Sequence, residues 1–245
     1  MTTEEGHDIA HLSTSQMVEV DRAMTDGLHI DLVQMMENAG RNLAHLARVR
    51  FLDGDPRGKR VVVLAGTGGN GGGAMVSARR LHNWGAGVQV IVSRLLEDDG
   101  SVPAHQFDIL QRMGVFVATT VALGELAEAD LILDGVIGYS LRGAPEGPAA
   151  EMIRWANDQA VPILSLDVPS GIDASTGGAS DPSIRATATM TLALPKEGLF
   201  ARGIEKHVGE LYLADISVPP SLYDGVGIGV EVGPIFSQEE IIRLR

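Results

Sequence analysis

The chain is predicted to fold as a doubly wound α/β domain, with a mostly parallel sheet, helices on both faces and two helices ahead of the first strand. Three observations carry that prediction. From Arg60 onward, short apolar runs of strand length alternate with stretches of helical spacing. The first run, Arg60 to Ala65, is almost continuously apolar, as expected of a strand covered on both faces of a parallel sheet. A glycine-rich turn then joins that strand directly to a helical stretch, the arrangement of a βαβ unit.

Residues 1–12 read as a polar tail. Ser13 and Gln16 then form an S-x-x-Q capping pattern for a helix with Met17, Val20, Ala23 and Met24 on one side, ended by Gly27. A second helix starts at Asp31 and carries Leu32, Met35, Met36, Ala39, Leu43, Leu46 and Ala47 at helical spacing. It closes at the loop Gly54 to Gly58. After the strand Arg60 to Ala65 and the glycine run Gly66 to Gly73, helical spacing resumes at Met75, Val76, Arg79, Leu81 and Trp84. The strand Val88 to Val92 follows.

The alternation continues with a helix from about Ala104 to Met113 and strands at Val115 to Ala118 and Leu131 to Ile137. A helix at Pro148 to Gln159 and a strand at Ile163 to Leu166, ended by Asp167, come next. Strands at Thr187 to Ala193 and Glu210 to Ile216 complete the pattern. Beyond Pro219 the chain is less regular, and Ser237-Gln238-Glu239-Glu240 reads as the capping box of a short last helix. Residues 13–245 are thus expected to form one domain. Right-handed crossovers would bring Gly66 to Gly73, Gly138 to Gly143 and Pro169 to Asp173 to one edge of the sheet, where ligands of such folds bind.

Composition narrows the function. With 44% hydrophobic and 21% charged residues among 245, the chain has the make-up of a soluble globular protein. A formal charge of −13 disfavours nucleic acid, whose binding relies on clustered Lys and Arg. The lack of cysteine excludes disulfides, thiolate metal sites and a cysteine nucleophile. No apolar run approaches the roughly 18 residues of a membrane span. Met1 to Ala10, with Glu4, Glu5 and Asp8, lacks the basic and apolar regions of a secretory signal. A cytoplasmic protein without membrane or nucleic-acid partners is expected.

The run Gly66-Thr67-Gly68-Gly69-Asn70-Gly71-Gly72-Gly73 sits where backbone N–H groups and a helix dipole make an anion site. Turning the chain alone would not require six glycines. Gly66, Gly68 and Gly71 also satisfy G-x-G-x-x-G, yet Ser93 and Arg94 stand where a dehydrogenase would place the acidic residue that holds the ribose of NAD. An Arg there would suit a 2′-phosphate.

Five segments, in order, resemble the NAD(P)HX epimerase family, also called the YjeF N-terminal domain family. Met35-Met36-Glu37-Asn38-Ala39-Gly40-Arg41 is similar to its L-M-E-N-A-G-R helix, and the glycine run to its P-G-N-N-G-G-D-G loop. Asp134-Gly135-Val136-Ile137-Gly138 looks like D-A-L-F-G. Ser165-Leu166-Asp167-Val168-Pro169-Ser170-Gly171-Ile172-Asp173 looks like S-V-D-I-P-S-G-L-D, and Pro195-Lys196-Glu197-Gly198-Leu199 like P-K-x-G-L. The resemblance runs from about Ser13 to Pro219 and implies a Rossmann-like fold. It also implies a repair enzyme that interconverts the epimers of hydrated NADH or NADPH, with NAD(P)HX as substrate rather than cofactor. A separate dehydratase would be its pathway partner, since none is fused before Arg245, and relatives of this kind are commonly homodimers.

Carried over residue by residue, the resemblance places substrate on Gly69, Asn70, Gly71, Gly72 and Gly73, on the second loop Gly138, Tyr139, Ser140, Leu141, Arg142, Gly143 and Ala144, and on Asp167. A potassium ion would be held by Asn70, Asp134 and Ser170, whose oxygen-only chemistry suits a hard cation; for Asp134, hydrogen bonding of loop amides at its strand end is the competing role. Asp167, at a strand end on the ligand edge, is the expected general acid or base; capping of its own turn is the competing role. Arg142 is expected either on the diphosphate or in solvent. Lys196 is expected to face solvent, and Glu37 and Asn38 to tie the N-terminal helices to nearby loops. One departure stands out: Gly69-Asn70-Gly71-Gly72-Gly73-Ala74 occupies the family's N-N-G-G-D-G, so an amide and a carboxylate are absent. Two other readings compete, a non-catalytic scaffold module of the same fold and an NADP-dependent oxidoreductase.

Overall fold

A computed structural model describes residues 9–97, 99–225 and 228–245; most of the expected polar tail, residues 1–8, lies outside them. Its centre is an eight-stranded sheet, among the described residues, ordered β3-β2-β1-β4-β5-β6-β7-β8. The strands are β1 (Arg60–Ala65), β2 (Gly87–Val92), β3 (Phe116–Thr119), β4 (Leu131–Gly135), β5 (Ile163–Leu166), β6 (Ala188–Leu192), β7 (Glu210–Ala214) and β8 (Ile241–Arg243). All pairings are parallel except that of β7 with β8. The chain winds outward from β1 to β3, then returns to the other side of β1 as β4. That reversal opens a crevice at the carboxyl ends of β1 and β4.

Side-chain parity along β1 explains the two layers. Val61, Val63 and Ala65 pack with Leu43, Leu46, Ala74, Ala78 and Phe107 of helices α2 (Leu32–Phe51), α3 (Gly69–Asn83) and α4 (Val102–Arg112). Val62 and Leu64 face the other way, onto Met152, Ile153 and Ala156 of α5 (Gly147–Asn157). A central strand covered on both faces has no polar side to show, which is why its sequence does not alternate. No helix among the described residues is long and apolar enough to cross a membrane.

The two N-terminal helices form as expected. In α1 (Thr14–Arg22) the Ser13 and Gln16 capping box is closed at both ends. The chain then passes through a π-helical turn, Ala23–Gly27, into α2, which Asp31 and Gln34 cap in the same way. Leu12, the last residue of the expected tail, is buried and bridges to Lys196.

The larger differences from the sequence expectation have physical reasons, while other ends shift by a residue or two. Helix α3 begins at Gly69, so most of the glycine run is the first turn of a helix rather than a loop ahead of Met75. Strand β4 ends at Gly135 instead of Ile137. The Val136 amide donates to Asp134 Oδ1 at 3.3 Å and the Ile137 amide to Ser170 Oγ at 2.9 Å, which withdraws both from the ladder. Strand β7 stops at Ala214, because beyond it the Asp215 carboxylate accepts the Ser217 amide at 2.6 Å and turns the chain. The expected final helix is instead β8. Ile241 and Ile242 are β-branched and find the open edge of β7.

A cleft built from glycines, a strained aspartate and a buried lysine

The glycines of the run do different work. A Cβ on Gly66 would lie 2.0 Å from the Val136 carbonyl oxygen, one on Gly71 1.9 Å from the Gly66 carbonyl, and one on Gly72 2.3 Å from Met36 Sδ. These three glycines let the chain pack against itself. Around Gly68, by contrast, nothing lies within 4 Å, and at Gly69 only the Met36 methyl reaches that distance. The first backbone bond at the start of α3 runs from Gly72 N to Gly68 O at 3.0 Å. The amides of Gly69, Asn70 and Gly71 therefore precede the intrahelical ladder, at the positive end of the helix dipole.

Of these three residues, Gly69 and Asn70 border a cleft of about 520 Å³ at the β1/β4 crossover, lined by Gly66 to Asn70, Gly73, Gly138, Tyr139, Ser140, Asp167 and Lys196. Met17, Met35 and Met36 from the N-terminal helices supply much of its apolar wall. Asn70 donates its amide to the Leu166 carbonyl at 3.1 Å. A Cβ on Gly138 would come within 3.1 Å of the Asn70 amide carbon and 3.3 Å of Asp167 Oδ2, so glycine there lets the two side chains share one wall.

Asp167 is buried at the floor of the cleft, immediately past β5. Its backbone has φ +65°, the left-handed region that aspartate and asparagine tolerate better than other side chains, and its amide donates to Met190 O at 2.7 Å. Lys196 Nζ forms an ion pair with Asp167 Oδ1 and also donates to Leu192 O at 2.9 Å. Thr191 Oγ1 lies 3.4 Å from Asp167 Oδ1, and the Tyr139 amide donates to Oδ2 at 3.3 Å. The expectation of a solvent-facing Lys196 is corrected: its side chain is 0% exposed. A lysine is buried only beside a partner, and that partner arrives from a different strand end.

Asp134 is wholly buried near the end of β4, on the same edge as Asp167. Its Oδ1 accepts from Ser170 Oγ at 2.5 Å and from the Val136 amide, and its Oδ2 accepts from Ser165 Oγ at 2.8 Å and the Ser170 amide at 2.9 Å. Burial pushes its pKa up, against those donors, which lower it. The carboxylate thereby ties β4, β5 and the Pro169-Ser170 turn together.

The second loop is only partly brought in. Gly138, Tyr139 and Ser140 line the cleft, while Arg142, Gly143 and Ala144 are exposed beyond its wall and Leu141 is half-buried there. Asp21 of α1, which sequence reasoning did not single out, also lines the cleft and accepts the Tyr139 hydroxyl at 2.5 Å. Burial raises the pKa of Asp21 and of Tyr139 alike. Glu37 pairs with Arg79 and Arg80 of α3 and with Gln106 of α4, so it joins helices rather than the loops expected. At the end of β2, Ser93 lines the cleft and Arg94 is exposed. Among the described residues no three His, Cys, Asp or Glu side chains cluster as metal ligands.

Comparison with known proteins places the cleft in context. The family model described as YjeF-related protein N-terminus matches residues 32–198. A protein of Dehalogenimonas lykanthroporepellens named NAD(P)H-hydrate epimerase is 44% identical over 93% of this chain and 90% of its own length. A Truepera radiovictrix protein of the same name is 33% identical over 91% of this chain and 97% of its own. A Pyrobaculum aerophilum protein named bifunctional NAD(P)H-hydrate repair enzyme is 35% identical, but the match spans 44% of its length. A yeast protein of known crystal structure superposes with a TM-score of 0.81 at 27% identity, covering 96% of this chain and all of that one.

Proposed function

Because the chain belongs to the family of YjeF-related protein N-termini, we propose that it is an NAD(P)H-hydrate epimerase, an isomerase that interconverts the two epimers of hydrated NADH or NADPH. The observation that carries the reading is the Asp167–Lys196 ion pair at the floor of a cleft rimmed by free helix-terminal amides.

The amides at the start of α3 and its dipole would receive the diphosphate, with Gly68 and Gly69 open enough for close approach. Gly73 and Asn70 would flank the ligand, and Gly71 and Gly72 would shape the turn from behind. Ser140 and the outer residues Leu141 to Ala144, Arg142 as a cation, would meet the ligand where it leaves the cleft.

At the hydrated carbon a hydroxyl and the ring nitrogen share one centre. An ion-paired carboxylate can only accept, which favours Asp167 as base. It takes the hydroxyl proton as the carbonyl forms, the carbon–nitrogen bond breaks, and the electron pair passes to the ring nitrogen and its conjugated carboxamide. After the aldehyde rotates, the nitrogen attacks its other face and the proton returns to oxygen. Atoms and charge balance with no co-reactant.

Asn70, Asp134 and Ser170 offer oxygen donors from three separate segments, a set suited to potassium. When bound, the ion would add positive charge beside Asp134 and brace the three segments. Asn70 Oδ1 would be the ligand nearest the cleft. Potassium in place of choline should raise both melting temperature and activity; equal values in the two salts would remove the ion from the account.

The bifunctional relatives indicate the wider setting: a dehydratase would consume one epimer, in the cytoplasm. Exposed Val18 and Leu32 on the N-terminal helices and Leu28 in the turn between them would pair two copies as a homodimer, which light scattering would show. The scaffold reading is not favoured, since Asp167 lines the cleft with Lys196, and Asp134 and Ser170 are buried together at the same sheet edge. Purified protein incubated with one epimer of hydrated NADPH should speed its conversion, followed by chromatography. A rate equal to the spontaneous one would end the epimerase reading.

A further inference from the structure

Tyr139 is held at both ends. Its amide donates to Asp167 Oδ2 at 3.3 Å and its hydroxyl to Asp21 Oδ2 at 2.5 Å, while Lys196 Nζ lies 5.9 Å from the centre of its ring. One residue therefore spans from the N-terminal helix to the Asp167–Lys196 pair. Asp21 is itself fixed, since its carbonyl accepts the Thr25 hydroxyl at 3.1 Å across the start of the π-helical turn.

The placement is costly. Asp21 is half-buried at the cleft wall, and the group that donates to its carboxylate is a neutral phenol rather than a cation. Desolvating a carboxylate in this way opposes folding, and the neighbouring charge of Asp167 adds to the cost while Lys196 offsets it. Packing alone would be served better by an apolar residue, as it is at neighbouring Met17, Val20 and Met24. What a carboxylate gives here is a strong acceptor that fixes the phenol, and through it the backbone of Gly138 and Tyr139 against Asp167.

We propose that Asp21 is a positioning residue for the epimerase reaction, acting through Tyr139 to hold the second loop against the Asp167–Lys196 pair. The inference rests on the epimerase reading. Asp21 need not touch the substrate, and its effect should fall on turnover rather than on affinity.

The test uses the full chain with Asp21→Ala, Asp21→Asn, Tyr139→Phe and the Asp21→Ala/Tyr139→Phe double variant. For each, kcat and KM for hydrated NADPH epimers, the dissociation constant of NADP and the melting temperature are measured. Asp21→Ala and Tyr139→Phe should each lower kcat by about tenfold to a hundredfold, the loss of one hydrogen bond to a charged group. KM and NADP affinity should stay within about twofold, and the double variant should be no slower than the slower single one. Asp21→Asn, which keeps an acceptor, should recover most of the rate. Unchanged kcat in Asp21→Ala, multiplying losses in the double variant, or an Asn variant as slow as Ala would each overturn the proposal. A wild-type protein that gives no acceleration while binding NADP would instead sink the epimerase reading, and this inference with it.

Discussion

Lys196 and Asp167 neutralise one another out of water, so each is a liability without its partner. Lys196→Met should cost about 3–5 kcal/mol, because it leaves a buried carboxylate unpaired. Pairing that change with Asp167→Asn should return part of the loss, as read by urea denaturation; a double variant weaker than Lys196→Met would contradict the coupling. Asp167→Asn alone should reduce the accelerated rate at least about a hundredfold, the usual worth of a placed proton acceptor. Asparagine keeps the left-handed backbone that this position needs. Asp167 was legible in the sequence because a strand-ending aspartate on the ligand edge announces itself. Lys196 was not, since nothing local to Pro195-Lys196-Glu197 reveals that a carboxylate from β5 awaits it. The glycines divide in the same way. Gly71→Ala drives a methyl to within 1.9 Å of a carbonyl and should abolish folding, whereas Gly68→Ala should cost only about 1 kcal/mol as a helix-cap change. Spacing marked the run as special but could not tell the packing glycines from the open ones.

At the scale of elements, α2 is tied to β7 by Arg50, which donates to both oxygens of Glu210 at 2.9 Å. That bond, with help from Tyr212, lowers the Glu210 pKa from the ordinary 4.5 to about 2. A depressed carboxylate pKa stabilises the fold at pH above the unfolded value and loses that contribution as pH falls through the folded one. The stability gap between wild type and Glu210→Gln should thus be widest near neutrality, about 1 kcal/mol after solvent screening, and close between roughly pH 4.5 and 2. A gap that widens on acidification would falsify the assignment. The strands from β1 to β7 and the long helices between them were legible, because each apolar run depends on local pattern, whereas the short turns Thr120–Glu125, Glu197–Phe200 and Glu205–Val208 were not. Strand β8 was hidden because its formation depends on an edge that only the folded sheet supplies. A chain ending at Glu240 should expose the β7 edge and melt several degrees lower, which calorimetry would show.

For the whole molecule, the reversal of strand order at β1 decides where a ligand can sit; alternation of element types foretells a doubly wound sheet with its loops on one edge, whereas the strand order itself comes from the folded structure. The N-terminal helices were foreseen as helices, yet their closure over the cleft through Met17, Asp21 and Met36 follows from tertiary packing that spacing does not encode. If the cleft receives the dinucleotide, NADP at about a hundred times its dissociation constant should add about 2.7 kcal/mol. For a chain of this size that is a rise of about 5 to 10 °C in melting temperature. No shift at saturating NADP would place the dinucleotide elsewhere. The close fit of Gly66 against the Val136 carbonyl and of Gly71 against the Gly66 carbonyl adds one consequence for encounter with ligand. A cradle wedged into shape by its own main chain has little freedom left to surrender on capture, so association should be quick, largely insensitive to viscosity-coupled loop motion, and similar for any dinucleotide bearing the same pair of phosphates.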